Sequence, residues 1–114
     1  MSTTTQIDGV SVITKANVYF DGKCVSHSIV MADGSKKSIG VILPTALPSA
    51  LPAALKFNTG AAEVMELVEG ACRVKLAGSE GWTAYAGGQS FSVAANSSFE
   101  IEVTQTLHYV CHFG

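Results

Sequence analysis

A chain of 114 residues can close one hydrophobic core but leaves no room for a separate cofactor domain. Charged residues make up 14%, the formal net charge is -2 and the longest basic run is Lys36-Lys37, which excludes a nucleic-acid footprint and points to small-molecule partners or a second copy. Hydrophobic residues reach 47%, yet Pro44, Pro48 and Pro52 break the most apolar stretch, Val41 to Leu55, so a membrane span is not expected either.

In chain order, residues 1–16 mix Thr, Ser, Gln and Asp and read as a loose arm outside a domain over 17–114, with Val10-Ser11-Val12 suited to an added edge strand. The polar, uncharged start Met1 to Gln6 lacks the basic and apolar regions of a signal peptide. Cys24, Cys72 and Cys111 are odd in number and lack CxxC spacing, as suits reduced, buried thiols. A cytoplasmic protein is the expectation.

From Val18 onward Asp21-Gly22, Asp33-Gly34, Gly78 to Gly81, Gly87-Gly88 and Asn96 separate short segments rich in Val, Ile, Phe and Tyr, the punctuation of an all-β barrel or sandwich. Alternation predicts strands at Val64–Val68, Cys72–Leu76, Phe91–Val93 and Phe99–Val103. Cys72, Val74, Leu76, Phe99, Ile101 and Val103 then point inward, and Arg73, Lys75, Glu100 and Glu102 outward. Ala50 to Lys56 is too short and too close to Pro52 for a helix. The two Ala-Leu-Pro triplets in Thr45–Pro52 predict a proline-stiffened loop able to cover a barrel mouth or a neighbouring subunit. Trp82 and Tyr85 are assigned to a barrel edge or subunit contact.

Phe57-x-Thr59-x3-Glu63-x6-Gly70 has the spacing of the first cupin motif, His-x-His-x3-Glu-x6-Gly, without its imidazoles. Gly88, Ala94-Ala95-Asn96 and Phe99 follow at the spacing of the second motif, with an aromatic again in the ligand position. The fold expected is therefore a single-domain cupin-type β-barrel, a jelly-roll-like double-stranded β-helix. Phenylalanine has no lone pair for a divalent metal, and Thr59 with Glu63 alone cannot hold zinc tightly, so no metal is expected. His27, His108 and His112 fall outside the motif. On one strand, His108 and His112 would stand about 13 Å apart, too far to share an ion. Asn96, where the motif wants glycine, is the side chain most tolerant of a left-handed turn.

Seven blocks occur in order: Val18-Tyr19-Phe20-x-Gly22-Lys23, Ser38-x-Gly40-Val41, Phe57-x-Thr59-x3-Glu63-x-Met65-x4-Gly70, Trp82-x2-Tyr85, Gly88-x2-Phe91-x-Val93, Phe99 and Tyr109-x-Cys111. In these the chain resembles, over residues 17 to 113, the pyrimidine/purine nucleoside phosphorylase family of small metal-independent cupins. It departs from the family pattern in its N-terminal arm, its longer proline loop, and His112 in place of an arginine. The resemblance implies phosphate-dependent cleavage of the N-glycosidic bond of purine and pyrimidine nucleosides to ribose 1-phosphate and free base. Phosphate is the cosubstrate and no cofactor is implied.

Within that reading, Glu63 and Thr59 are the catalytic candidates. Glu63 would anchor the ribose hydroxyls as a carboxylate or protonate the leaving base as an acid, burial raising its pKa. Thr59 offers a hydroxyl to phosphate or sugar. Phe57, Phe99 and Tyr109 offer faces on which any base can stack. Lys36, Ser38 and Arg73, with Lys23 behind them, are the phosphate donors available, although alternation sends Arg73 away from the barrel centre. A homodimer, covering exposed sheet edges, is the expected assembly. The competing reading is a degenerate cupin that binds a nucleoside or sugar without turnover.

Overall fold

The structure, a computed structural model, describes residues 4–45 and 54–113. Most of the proline loop, at 46–53, lies outside them, and with it the expected cover of the mouth. Among the described residues nine antiparallel strands are joined into one sheet: β1 (Ser11–Val12), β2 (Asn17–Tyr19), β3 (Cys24–Val30), β4 (Lys36–Ile42), β5 (Leu55–Asn58), β6 (Glu63–Leu76), β7 (Thr83–Ala86), β8 (Ser90–Val93) and β9 (Ser98–Phe113). Among the described residues the one helical piece is a 3-10 turn, Phe20–Gly22. No helix of the described residues is long and apolar enough to cross a membrane.

The architecture depends on two long strands. One edge of β9 pairs with β5 through Ser98–Ile101 and with β4 through Leu107–His112, while the other edge pairs with β6 along almost its whole length. The far edge of β6 carries β8 against Glu63–Glu66 and β7 against Ala71–Val74. Alternation therefore supplies both layers from the same strands. Met65, Leu67, Cys72 and Val74 of β6 and Phe99, Ile101, Val103, Leu107, Tyr109 and Cys111 of β9 share one buried cluster with Cys24, Ile42, Phe91 and Val93. This is the all-β, cupin-type barrel expected, with Phe99, Ile101 and Val103 inward and Arg73 exposed.

One predicted pair of strands is continuous and another predicted strand runs on well past its alternating segment. Val64–Val68 and Cys72–Leu76 belong to one strand, because register shifts between Leu67 and Cys72 absorb the break at Gly70. Gly70 has φ +108, and a β-carbon there would lie 2.2 Å from the carbonyl oxygen of Thr106. That contact accounts for the motif glycine: it lets β6 bulge while hugging β9. Likewise Phe99–Val103 continues to Phe113, turning the alternating run into a 16-residue strand.

The turn residues behave as their chemistry predicts. Gly22, Gly34, Gly78, Gly88 and Asn96 all take positive φ, Asn96 at 51. Phe20 and Asp21 also have positive φ, at 52 and 54, which no local propensity favours in a phenylalanine. The N-terminal arm runs over the outer face. Ser11–Val12 pairs with Val30–Ile29 of β3, and the amide and hydroxyl of Thr4 both donate to the carboxylate of Glu66.

Candidate functional site

The barrel holds a cavity of about 350 Å³ between β3, β4, β5, β6 and both ends of β9. Its floor is polar. Glu63 opens β6 with its carboxylate turned inward, where burial pushes its pKa up and a hydrogen bond from the Cys111 thiol opposes the rise. Burial beside Glu63 in turn holds Cys111 as a thiol, its pKa pushed up to about 12, and Ser38 hydrogen-bonds to the same sulfur. Ser38 and Cys111 are direct cross-strand partners on β4 and β9, so the ladder itself sets this contact. Tyr109, also inward on β9, has its hydroxyl 3.6 Å from Cys24 Sγ and hydrogen-bonded with Ser26, and burial drives its pKa upward.

The walls are aromatic. Phe57 and Phe99 are cross-strand partners on β5 and β9 and stack at 5.4 Å with 15° between planes. Phe20 meets Phe57 edge-on at 5.2 Å, Tyr19 at 6.4 Å, and Phe91 closes the row behind Phe99 at 5.6 Å. The strained Phe20 turn is thus tied to the site, the place where such conformations concentrate. One end of the cavity offers hydrogen bonds and the other offers ring faces, the division a ligand with a polyol and a flat heterocycle requires.

Metal chemistry does not fit these donors. The positions that carry imidazoles in the metal-binding motif hold Phe57, Thr59 and Phe99, so Glu63 is the one ligand of that motif still present. Among the described residues no group of three His, Cys, Asp or Glu side chains is arranged to hold an ion.

The structure brings Glu63, Phe57, Phe99, Tyr109 and Ser38 together around the cavity. It does not bring Thr59, Lys36 or Arg73 there. Thr59 is buried just past β5, its hydroxyl donating to Ala94 O at 2.7 Å and accepting from Ser97 N at 2.9 Å. Both functions of the hydroxyl are spent on clamping the loop between β8 and β9. Lys36 starts β4 in solvent, separated from the buried Ser38 although the two share a face. Arg73 is held on the outer face by both oxygens of Glu102 at 2.6 and 2.8 Å and lies 5.4 Å over the ring of Trp82.

Phe20, Ser26, Lys56, Asn58, Cys111 and Phe113 also line the cavity; the sequence places Phe20 and Cys111 in the family blocks but assigns none of the six to the site. Ser26 could have been found, since it alternates with Cys24 on the inward face of β3. Lys56 and Asn58 could not: alternation sends them opposite to Phe57, and they reach the cavity only because β5 forms its rim. His112 faces outward, its Nδ1 accepting from Lys37 Nζ at 2.6 Å and its Nε2 donating to Glu66 at 2.8 Å. The three cysteines are free and buried. A larger groove of about 530 Å³ lies on the outer face beneath the arm; its lining is mostly aliphatic and carries no carboxylate.

The pyrimidine/purine nucleoside phosphorylase family model matches residues 14–113. The pyrimidine/purine nucleoside phosphorylase of Aromatoleum aromaticum is 63% identical over 115 residues, covering all of both chains, and that of Herminiimonas arsenicoxydans is 61% identical over 110 residues, covering 96% of this chain and 98% of the relative. A protein of unknown function from Acinetobacter sp. ADP1 superposes with TM-score 0.89 at 47% identity over 97% of this chain and all of that one. The Fe(II) form of HppE shares the fold alone, at TM-score 0.70 and 13% identity over 96% of this chain and 62% of that one. A cavity with a carboxylate floor and aromatic walls, in place of a metal cage, is therefore found in a chain that belongs to the pyrimidine/purine nucleoside phosphorylase family.

Proposed function

We propose that this nucleoside phosphorylase cleaves the N-glycosidic bond of both purine and pyrimidine nucleosides with phosphate, giving ribose 1-phosphate and free base. A phosphate oxygen bonds to the anomeric carbon as the carbon–nitrogen bond breaks. The electron pair leaves with the base, which takes up a proton. Charge builds at the sugar in the transition state, as in other glycosyl transfers. The observation that carries the reading is the inward carboxylate of Glu63 facing the Phe57–Phe99 stack within a cavity sized for a small ligand.

Glu63 serves the sugar, as anchor of the ribose hydroxyls or as acid for the departing base. The stack of Phe57 and Phe99, with Tyr109, takes the base. Ring faces attract any heterocycle, so tolerance of both base classes follows from walls that read no hydrogen-bond pattern. Phosphate is the cosubstrate, and neither metal nor organic cofactor takes part. The domain over 17–114 carries the chemistry, and the protein works in the cytoplasm.

A homodimer is the working assembly. Ile39 and Val64 are exposed on the outer face, and Val12, Ile13 and Val18 are exposed around the N-terminal strands, apolar surface that a second copy would cover. Light scattering should return twice the 11.8 kDa chain mass.

Base release from uridine, inosine and adenosine tests the function. It should need phosphate, persist in chelator and be accompanied by stoichiometric pentose 1-phosphate. Saturable nucleoside binding with no base release under excess phosphate would make the chain a binder.

A further inference from the structure

Phosphate is a multiply charged anion, and an anion pressed into the floor of this cavity meets the Glu63 carboxylate in a poorly solvated place. A cation elsewhere on the same cavity is therefore needed. The sequence has seven lysines and arginines, and all seven fall within the described residues. Arg73 is committed to Glu102 and Lys37 to His112. Lys36 stands in solvent at the start of β4, Lys15 and Lys23 lie in turns beside β2, and Lys75 lies on β6, across β9 from β5, in a shallow depression that Lys56 and Glu100 also line. Lys56 alone lines the cavity.

The surroundings of Lys56 suit an anion. Asn58, two residues on along the same face of β5, lines the cavity with it and adds an amide donor. β5 pairs only with β9 among the described strands, so its other edge has no strand partner there. Glu100 is the cross-strand partner of Lys56, yet no ion pair joins Lys56 to any described carboxylate. Lys56 is exposed and Glu63 lies deeper, so the cavity is polarised from a cationic rim to an acidic floor.

We propose that Lys56, with Asn58, is the phosphate-binding site: the nucleophile is received at the β5 rim, and Glu63 is left to the sugar. The inference rests on the phosphorolytic reading above and adds to it the residue that meets the cosubstrate. It also fixes an orientation. The face of the anomeric carbon attacked by phosphate must turn toward β5.

The test varies phosphate at saturating nucleoside in wild type, Lys56→Gln and Lys56→Arg. Loss of one charge-assisted contact should raise KM for phosphate about tenfold in Lys56→Gln while KM for the nucleoside stays within about twofold, and Lys56→Arg should recover most of the loss. Phosphorus NMR titration with inorganic phosphate gives a readout free of turnover, and the wild type should broaden the signal more than Lys56→Gln. An unchanged phosphate KM in Lys56→Gln, with an active wild type, overturns the assignment of Lys56. A wild type without phosphate-dependent base release overturns the phosphorolytic reading instead, and the titration then decides separately whether the anion site exists.

Discussion

Ser38 and Cys111 are direct partners across the β4–β9 ladder, and the Cys111 thiol lies beside the Glu63 carboxylate at the start of β6. Three strands thus converge on one acid. Cys111 keeps its proton throughout the physiological range, its pKa pushed up to about 12 by burial and by the carboxylate beside it.

Glu63→Gln should lower kcat/KM by at least about a hundredfold, the scale of a lost acid or charge-stabilising group. Its effect on stability should have the opposite sign. Burial raises the Glu63 pKa above its unfolded value, so the stability it contributes is complete below the ordinary carboxylate pKa and is lost as pH rises through the folded pKa. The Tm of Glu63→Gln should therefore exceed that of wild type at neutral pH and converge with it in acid. A Gln variant with full turnover and a lower Tm at pH 7 would remove Glu63 from the chemistry.

Thr59→Val should behave as a structural lesion. It leaves Ser97 N–H and Ala94 C=O without their partner, a loss of about 1–3 kcal/mol in unfolding by denaturant. Thr59→Ser keeps both bonds and should be near wild type. The folded fraction of Thr59→Val should retain kcat within a few-fold; a hundredfold fall in kcat at unchanged stability would return the hydroxyl to the reaction.

Gly70→Ala should be among the most damaging single changes. The added carbon meets Thr106 O at 2.2 Å and Leu107 Cα at 2.8 Å, both backbone, at φ +108. Neither can yield without unzipping β6 from β9. A loss above about 4 kcal/mol, seen as insolubility or a collapsed Tm, is expected. By contrast Gly60→Ala, with open space around it, should be mild.

The N-terminal arm should loosen in acid. Burial tends to raise the Glu66 pKa, but hydrogen bonds from the Thr4 amide, His112 and the Thr4 hydroxyl outweigh it and hold the carboxyl below its usual value. A depressed folded pKa means stability present above the unfolded pKa and lost as pH falls through the folded one. Amide protection factors in residues 5–12, corrected for the intrinsic exchange rate, should fall below about pH 4.5, the ordinary Glu value, and Glu66→Gln should show that lower protection already at pH 7. Protection that is flat across this range would mean the arm is held by β1 alone.

Alternation and turn chemistry made the barrel and its inward faces legible: Phe99, Ile101 and Val103 followed from period two, and Asn96 from its tolerance of positive φ. Motif spacing found Glu63, Phe57 and Phe99. What stayed hidden depends on where strands end and what borders them. Lys56 and Asn58 have the outward parity of surface residues and reach the cavity because β5, paired only with β9 among the described strands, forms its rim. Thr59 has the inward parity of a site residue but stands one position past β5, where the loop before β9 claims its hydroxyl. Arg73 satisfies its charge on the strand next door.

The Phe20–Asp21 turn sets the chain against itself. Two non-glycine residues in the left-handed region cost about 1–2 kcal/mol each, and a Gly-Gly turn would relieve most of that. Phe20→Gly should accordingly melt later or unchanged and work worse, since the ring against Phe57 disappears with the penalty. The bend is thus held shut by its own occupant, like a door kept closed by the furniture behind it.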